Sequence, residues 1–221
     1  MKWQKKLKKR QKNFQFKIVE YKKDTFAPEK AAHILEKGGL IIFPTNGVYG
    51  IGADIHNVTS VKKIYEIKKR ALNKPLLILI KNIAEVEKYC VNIPQIFFEL
   101  MKTFWPGDIT FIMDASDNVP QILTGNTGKI GVRIPAHPFL NELLNIFKNP
   151  ITGTSANISG NHATDTFEEL DPDLVKEVQF IIKSNKPGNK SPSTILEASK
   201  GEIKIIREGR VKEKDLKKFL I

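Results

Sequence analysis

Short apolar runs alternate with longer amphipathic segments along most of this chain. Residues 40–43 and 76–80 are apolar runs of strand length, and residues 58–69 between them place apolar side chains on one helical face. Strands separated by helices are typical of a sheet that is covered by helices. The pattern therefore predicts an α/β fold, and the irregular strand spacing argues against a doubly wound nucleotide-binding sheet.

The same periodicity divides the chain into elements. Strands are predicted at residues 40–43, 76–80, 109–113, 130–134, near 151, and at 180–183, 194–197 and 203–206. Helices are predicted at residues 28–37, 58–69, 83–90, 94–104, 138–147, 173–178 and 212–220. The polar segment 187–192 reads as a loop and not as a domain linker, so we expect one domain over residues 17–221.

Positive charge is concentrated at the start of the chain. The net charge is +12, and residues 1–12 contain seven Lys or Arg side chains and no acidic residue. We therefore separate residues 1–16 as a basic N-terminal arm. Such an arm can bind nucleic acid or an acidic surface without sequence preference, or it can be a solvated tail.

Composition disfavours several classes of protein. No apolar run approaches the roughly 18 residues of a membrane span, and the start of the chain has no apolar stretch like that of a secretory signal. Cys90 is the single cysteine, which excludes a disulfide framework and is compatible with a reducing compartment. One cysteine and four histidines also argue against a structural zinc site. We expect a cytoplasmic protein without a membrane partner.

The common nucleotide-binding signatures are missing from the sequence. It contains neither a G-x-x-x-x-G-K-[ST] loop nor a G-x-G-x-x-G turn after a strand. A phosphate site would have to use cationic side chains, hydroxyl groups and backbone amides on loops. Residues 44–52 and 151–160 are glycine-containing, hydroxyl-bearing loops at the ends of predicted strands, where α/β sheets place ligands. Either loop could also be an ordinary turn.

Two groups of basic side chains invite a functional interpretation. Lys68 and Arg70 end a predicted helix, where a cation can serve the helix dipole or bind a phosphate group. Arg133 lies inside an apolar strand, where its charge needs either a structural carboxylate or a ligand carboxylate. His137 is flanked by apolar residues and proline, so we interpret it as a turn or helix-start residue and not as a general base.

An ordered set of short motifs extends from about residue 27 to residue 209. In chain order these are G-G-L-I-I-F-P-T, V-Y-G-I-G-A, K-x-R, N-K-P-L, W-P-G, V-R-I-P-A-H-P, T-S-A-N-x-S-G, P-S-T-I and R-E-G. Each motif is weak alone, but by the ordered set the chain resembles the YrdC family of threonylcarbamoyl-AMP synthases. It is similar to the short, single-domain form, whereas longer relatives carry a second C-terminal domain.

The resemblance implies a twisted, mixed α/β sheet with flanking helices around a basic concave cavity. It also implies a nucleotidyltransferase that forms threonylcarbamoyl-AMP and pyrophosphate from L-threonine, bicarbonate or CO2, and ATP. Mg²⁺ would bind through the ATP phosphates and not in a protein cage. A downstream threonylcarbamoyl-transferase complex would then modify an adenosine next to the anticodon of tRNA.

The resemblance also assigns roles to individual residues. The catalytic set around the ATP phosphates is Lys68, Arg70, Ser155 and Asn157, and the further ATP contacts are Thr164 and Arg207. The threonine-binding set is Thr45, Arg133, Gly153 and Ser193. We expect Lys68 and Arg70 to lie on the surface of the cavity, so that replacing either would spare the fold.

This sequence departs from the family pattern in two places. The usual motif P-T-[DE]-T-V-Y-G has an acid where Asn46 stands and a second threonine where Gly47 stands. Ala71 replaces the proline that usually follows the basic pair. The first departure concerns the threonine pocket and leaves open whether serine is also accepted.

Two other functions stay open on the sequence alone. The basic arm and a basic cavity would suit a non-catalytic module that binds double-stranded RNA or tRNA. A second alternative is the transfer of carbamoyl groups from another donor, as in hydrogenase-maturation proteins that contain this domain and are much longer.

Overall fold

The computed structural model describes residues 18–22, 25–184, 188–199 and 202–219. The basic arm predicted at residues 1–16 lies outside the described residues. In the described part of the chain, no helix has the length and apolar character needed to cross a membrane.

The strands are mostly short. They are β1 (Ile18–Glu20), β2 (Ile41–Phe43), β3 (Gly50–Gly52), β4 (Leu77–Leu79), β5 (Cys90–Val91), β6 (Ile109–Ala115), β7 (Lys129–Arg133), β8 (Ile151–Thr152), β9 (Thr154–Ser155), β10 (Phe180–Lys183), β11 (Thr194–Ser199) and β12 (Glu202–Arg207). They agree with every strand that the apolar runs predicted.

The helices of the described residues follow the predicted amphipathic segments, except for one short helix at Gln121–Thr124 that was not predicted. They are α1 (Ala27–Glu36), α2 (Val58–Ile67), α3 (Val86–Tyr89), α4 (Gln95–Phe104), α5 (Gln121–Thr124), α6 (Pro138–Phe147), α7 (Pro172–Glu177) and α8 (Glu213–Leu216). Short 3₁₀ turns occupy Ile83–Glu85, Phe167–Glu169 and Lys217–Phe219. The helix predicted at residues 83–90 is therefore a 3₁₀ turn that runs into a single α-helical turn and ends in β5.

The strands form two mixed sheets. One sheet has the order β1-β10-β2-β3-β9, and the other has the order β12-β11-β6-β7-β4-β8 with β5 paired to β6. Each sheet combines parallel and antiparallel pairs. The predicted mixed α/β class is confirmed. The division between two sheets depends on long-range pairing, which local periodicity does not reveal.

Strand β2 shows why its sequence is a continuous apolar run. Ile41 and Phe43 enter the core formed with α1 and α6, whereas Leu40 and Ile42 enter the larger core on the other face. A strand buried on both faces has no solvent side on which polar residues could alternate. The run therefore marks a central strand, at whose end the loop of Thr45 begins.

Strand β3 was predicted as part of a glycine-rich loop, and that prediction was wrong. Gly50 and Gly52 pair with β2, and the ring of Phe43 crosses both glycines so closely that a Cβ at Gly52 would lie 2.8 Å from it. Glycine inside a strand usually signals such a close approach, but it also lowers the strand propensity of the segment. The local pattern therefore favoured a loop.

The two sheets are joined at Gly153. Strand β8 belongs to one sheet and β9 to the other, with Gly153 alone between them. Its amide donates to the Leu77 carbonyl at 2.9 Å, and a Cβ there would lie 2.7 Å from the Leu79 side chain. Only a residue without a side chain fits this crossing, which brings the ends of β3, β4 and β9 to one place.

Candidate active site

A cavity of about 790 Å³ opens at the junction of the two sheets. Its lining includes nine of the ten predicted site residues: Thr45, Arg70, Arg133, Gly153, Ser155, Asn157, Thr164, Ser193 and Arg207. These residues come from segments that are far apart in the sequence and meet through the crossing at Gly153. The volume lies within the usual range for ligand sites.

Both signs of charge are present in the described lining. The cationic side chains are Arg70, Lys129, Arg133, Lys190 and Arg207, and the acidic side chains are Asp165, Glu169 and Glu197. The cavity can thus offer charge partners to phosphate and carboxylate groups and, at other points, to a cationic group.

Helix α2 ends in a Schellman motif that sets the direction of the basic pair. The amide of Lys69 donates to the Glu66 carbonyl at 2.9 Å, and that of Arg70 donates to the Tyr65 carbonyl at 2.8 Å. Lys69 adopts the left-handed conformation with a φ of 49°, where glycine is more usual. This reversal sends Lys68 into the protein and Arg70 toward the cavity.

Lys68 contradicts the expectation that it would lie on the cavity surface. Its side chain is buried, with the residue 1% exposed, and it is not part of the described cavity lining. The ammonium group donates to the Ser155 carbonyl, to the Asn157 carbonyl at 2.6 Å and, at 3.5 Å, to Asn157 Oδ1. Lys68 therefore ties down the loop that carries Ser155 and Asn157.

The surroundings of Lys68 act on its protonation in opposite directions. Burial, and secondarily the charge of Arg70, lower the pKa of Lys68 from 10.5 to about 7. The carbonyl oxygens of Ser155 and Asn157 favour the ammonium form, because they accept its protons. The loop is held a second time by the Ser159 amide, which donates to the Lys68 carbonyl at 2.8 Å.

Arg70 differs from Lys68 in that it lines the cavity. Its Nε donates to the Lys74 carbonyl at 3.2 Å and its Nη2 to the Pro75 carbonyl at 2.8 Å. These contacts fix one edge of the guanidinium group, while Nη1 makes no hydrogen bond among the described residues. Burial lowers the pKa of Arg70 without removing its charge. The group is thus oriented to bind an anion in the cavity.

Ser155 and Asn157 form a polar cluster at the end of β9. The Ser155 hydroxyl donates to Asn157 Oδ1 at 2.6 Å, and Asn157 Nδ2 donates to the Asn161 carbonyl at 2.7 Å. The Ala156 amide donates to the Tyr49 carbonyl at 2.8 Å, which holds this loop against the loop of Thr45. The two loops therefore form one wall.

The Arg133 side chain has a structural carboxylate partner that the sequence left as one of two options. Arg133 Nη2 forms a salt bridge with Asp108, and Nε donates to the Gly107 carbonyl at 2.7 Å. Arg210 contacts the other carboxylate oxygen of Asp108 at 3.1 Å. Burial lowers the pKa of Arg133, and the Asp108 charge opposes that shift. Arg133 still lines the cavity, so the structural partner does not exclude a ligand there.

Ser193 and Arg207 lie beside Arg133 on the wall formed by the larger sheet. Arg207 Nη2 donates to the Ser193 carbonyl at 2.8 Å, and the Ser193 hydroxyl is 2.9 Å from that of Thr110. The backbone at Ser193, a residue predicted to bind threonine, therefore positions Arg207, which was predicted as an ATP contact.

The loop of Thr45 is in close contact with the segment around Ser191. The Thr45 hydroxyl donates to the Val48 carbonyl at 2.7 Å, and the Asn189 amide donates to the Asn46 carbonyl at 3.2 Å. A Cβ at Gly47 would overlap the Ser191 carbonyl oxygen. The departure from the family pattern at Gly47 thus has a structural counterpart, because the backbone of 188–191 occupies the space of a side chain.

Thr164 is joined to the same wall through its backbone. Its carbonyl accepts from the Tyr49 amide at 2.7 Å, and its hydroxyl donates to Glu169 at 2.6 Å. Asp165 follows it and is buried in the lining. Sequence reasoning missed Asp165 and Asp108, because neither residue belongs to a recognisable motif and each acquires its role from segments that are distant in sequence.

His137 takes the place that the sequence predicted. It is the residue that precedes α6, and its ring lies 6.0 Å from that of Tyr21. Burial lowers its pKa to about 4. The described cavity lining does not include His137, so its position is that of a helix-start residue.

Comparisons with known proteins agree with this fold and arrangement. The sequence model of the Sua5/YciO/YrdC family, described as Telomere recombination, matches residues 33–209. A relative from Pyrococcus abyssi named threonylcarbamoyl-AMP synthase is 31% identical over 190 residues, which cover 86% of this chain and 56% of the relative. One of that name from Vibrio parahaemolyticus is 33% identical over 184 residues, which cover 82% of this chain and 98% of the relative.

A solved structure gives the same result in three dimensions. The crystal structure of P. abyssi Sua5 complexed with L-threonine superposes with a TM-score of 0.87 at 30% identity and covers 92% of this chain and 60% of that one. The chain thus spans less than two thirds of the Pyrococcus proteins and nearly all of the Vibrio relative. On the match over residues 33–209 and on this structural agreement, the chain belongs to the Sua5/YciO/YrdC family.

Proposed function

We propose that this chain is an L-threonylcarbamoyladenylate synthase. It is a nucleotidyltransferase that converts L-threonine, bicarbonate or CO2, and ATP into threonylcarbamoyl-AMP and pyrophosphate. The observation that carries the proposal is that residues predicted separately for threonine and for ATP line one cavity. The names of the relatives from Pyrococcus and Vibrio support it.

The reaction joins two anions, and the cavity walls suit that task. The threonine ammonium group first loses a proton to solvent, and the neutral nitrogen then bonds to CO2 and releases a second proton, which gives the carbamate. A carbamate oxygen next attacks the α-phosphorus of ATP, and the bond from that phosphorus to the leaving pyrophosphate breaks. In water, repulsion between the carbamate and the triphosphate opposes this approach. Arg70 on one wall and Arg133 and Arg207 on the other supply positive charge that lowers the repulsion.

The second contribution to catalysis is the orientation of the two reactants relative to each other. The amino acid would be held by Thr45, Arg133, Gly153 and Ser193. The phosphates would be held by the loop that carries Ser155 and Asn157, which Lys68 ties down. Correct alignment of two reactants can contribute up to roughly 7–11 kcal/mol in ideal cases. In this mechanism Lys68 is a positioning residue, since it acts through the loop.

No protein nucleophile is required. The single cysteine, Cys90, is buried outside the described lining, and burial raises the pKa of its thiol to about 12. The carbamate is the nucleophile, so the chain contributes positioning and charge.

Mg²⁺ would enter as part of the ATP substrate. Among the described residues, no group of three or more His, Cys, Asp or Glu side chains is placed to hold a metal ion. The Ser155 hydroxyl and the Asn157 amide oxygen lie at the proposed phosphate side and are oxygen donors of the kind that Mg²⁺ accepts. A metal bound by phosphates and such oxygens fits the residues that are present.

The product would be consumed by a separate threonylcarbamoyl-transferase complex, which modifies an adenosine of tRNA in the cytoplasm. Direct binding of tRNA or double-stranded RNA by the chain stays a prediction, because the basic arm that motivates it lies outside the described residues.

Pyrophosphate release tests the proposed function. We expect ATP-dependent release that requires threonine and bicarbonate together and that falls by orders of magnitude in Arg70→Ala. Release that is independent of threonine would show that the amino-acid assignment is wrong. No release, together with RNA binding that weakens steeply with salt, would favour the RNA-binding alternative.

A further inference from the structure

Asp165 is a buried carboxylate in the wall of the cavity. The residue is 5% exposed and lines the cavity, which no motif predicted. Among the described residues its carboxylate accepts one hydrogen bond, from the Thr166 hydroxyl at 3.3 Å, and forms no salt bridge. A carboxylate removed from water to this extent is costly unless a cationic or hydrogen-bonding group meets it.

The other acidic side chains of the lining have different surroundings. Glu197 forms a salt bridge with Lys129. Glu169 is exposed and accepts the Thr164 hydroxyl at 2.6 Å. Asp165 is thus the buried acid of the described lining whose capacity to accept hydrogen bonds is largely unused.

The position of Asp165 connects it with the amino-acid side of the cavity. A Cβ at Gly188 would overlap the Gly47 carbonyl and would lie 3.1 Å from Asp165 Cβ, so these residues meet at one point. Gly47 belongs to the loop of Thr45, and the segment from Gly188 leads to Ser193. Thr45 and Ser193 are both proposed to bind threonine.

We propose that Asp165 binds the ammonium group of the amino-acid substrate. This inference rests on the proposed function and adds the recognition of the amine to it. A free amino acid carries a carboxylate and an ammonium group. Arg133 is a charge partner for the carboxylate, whereas the ammonium group needs an acidic partner. The Asp165 carboxylate complements that group and, with Arg133, distinguishes the two ends of the zwitterion.

The proposed contact between Asp165 and the substrate nitrogen has opposite effects before and after carboxylation. The nitrogen is cationic in the free amino acid, and its conversion to the anionic carbamate forms one N–C bond to CO2 and releases two protons to solvent. Asp165 attracts the cationic nitrogen and repels the carbamate, so carboxylation moves the new carboxylate away from Asp165 and toward the arginines of the cavity. The residue therefore favours entry of the free amino acid over entry of a preformed carbamate.

Calorimetric titration with two ligands tests this assignment without turnover. The ligands are L-threonine and 3-hydroxybutanoate, which keeps the carboxylate, hydroxyl and methyl groups and lacks the amine. Asp165→Asn should weaken threonine binding roughly tenfold to a hundredfold, which is typical of a hydrogen bond between charged groups. It should leave the affinity for 3-hydroxybutanoate within twofold.

Glu197→Gln is the matched control, because it also neutralises an acid of the lining and should leave both affinities within twofold. If Asp165→Asn does not fold, Asp165→Glu moves the carboxylate by one methylene and should weaken threonine binding alone.

Three results would overturn the assignment: equal threonine affinity in wild type and Asp165→Asn, an equal loss for both ligands, or a change confined to the Mg²⁺ dependence of ATP-analogue binding. The last result would make Asp165 a metal ligand. Wild-type protein that binds ATP analogue but not threonine would overturn the proposed function itself, and this inference with it.

Discussion

Replacing Lys68 separates a residue that organises the site from one that touches substrate. In Lys68→Met the side chain keeps its length and loses its donors, so the carbonyl oxygens of Ser155 and Asn157 are left unsatisfied. A buried polar group without a partner costs about 1–3 kcal/mol, and removal of the buried ammonium offsets part of that cost. We expect a loss of about 3 kcal/mol in the free energy of unfolding.

This loss should be visible by differential scanning calorimetry. For a domain of this size each kcal/mol lowers the Tm by roughly 2–4 °C, so Lys68→Met should melt roughly 6–12 °C below the wild type. Arg70→Ala is the control, since Arg70 lines the cavity and its loss should leave the Tm within about 2 °C while abolishing pyrophosphate release. A wild-type Tm in an inactive Lys68→Met would refute the reasoning, because Lys68 would then act on the substrate directly.

The pH dependence of stability provides a second measurement on Lys68. Its pKa is about 7 in the folded chain and near 10.5 when unfolded, so the unfolded chain binds more protons between these values. The contribution of Lys68 to stability therefore rises as the pH increases through this window, and is lost as the pH falls back to about 7. Denaturant titrations of wild type and Lys68→Met at pH 7 and pH 9 should show that the stability difference between them widens with pH. A constant difference would contradict the lowered pKa.

Three further predictions concern single contacts. Gly47→Thr introduces the family residue, whose side chain would overlap the Ser191 carbonyl. We therefore expect the free energy of unfolding, measured by urea titration, to fall by about 1–3 kcal/mol and the KM for threonine to rise. Improved activity would contradict the packing argument. Asp108→Asn removes the charge between two arginines, and steady-state kinetics should show a KM for threonine raised roughly tenfold with the KM for ATP little changed, whereas equal changes would indicate a general structural role. Phe111→Ala removes a buried ring packed against Trp105 and should cost about 3–5 kcal/mol in the same unfolding assay, where a loss below 1 kcal/mol would refute the packing.

The sequence predicted the elements of the fold well where one periodicity dominated. Strand β2 is buried on both faces, and α6 has one apolar face, so their patterns are unambiguous. Strand β3 was missed because its glycines are fitted to the ring of Phe43, which lies on another strand. Prediction and structure therefore agree for elements whose pattern is set by their own residues, and they disagree where an element is shaped by a residue of another strand.

The candidate site also combines features that local sequence patterns predict with features that depend on tertiary contacts. The resemblance carried by the ordered motifs identified nine residues that line one cavity, most of them at a point where a strand or helix ends. The motifs could not show that Lys68 is turned inward, since that depends on a Schellman motif with Lys69 in an unusual conformation. Nor could they show which carboxylate accompanies Arg133, because Asp108 reaches it through a turn that precedes β6.

Motifs and periodicity were sufficient to indicate the family, most of the strands and helices in their order, and nine of the residues that line the cavity. The tertiary structure alone decided that the strands divide into two sheets, that the chain crosses between them at Gly153, and that Asp165 meets the loop of Thr45. The physical reason is that burial and charge pairing arise between segments far apart in the chain. Local patterns encode which face of an element is apolar, whereas the neighbours of a charged group are fixed only when the elements pack.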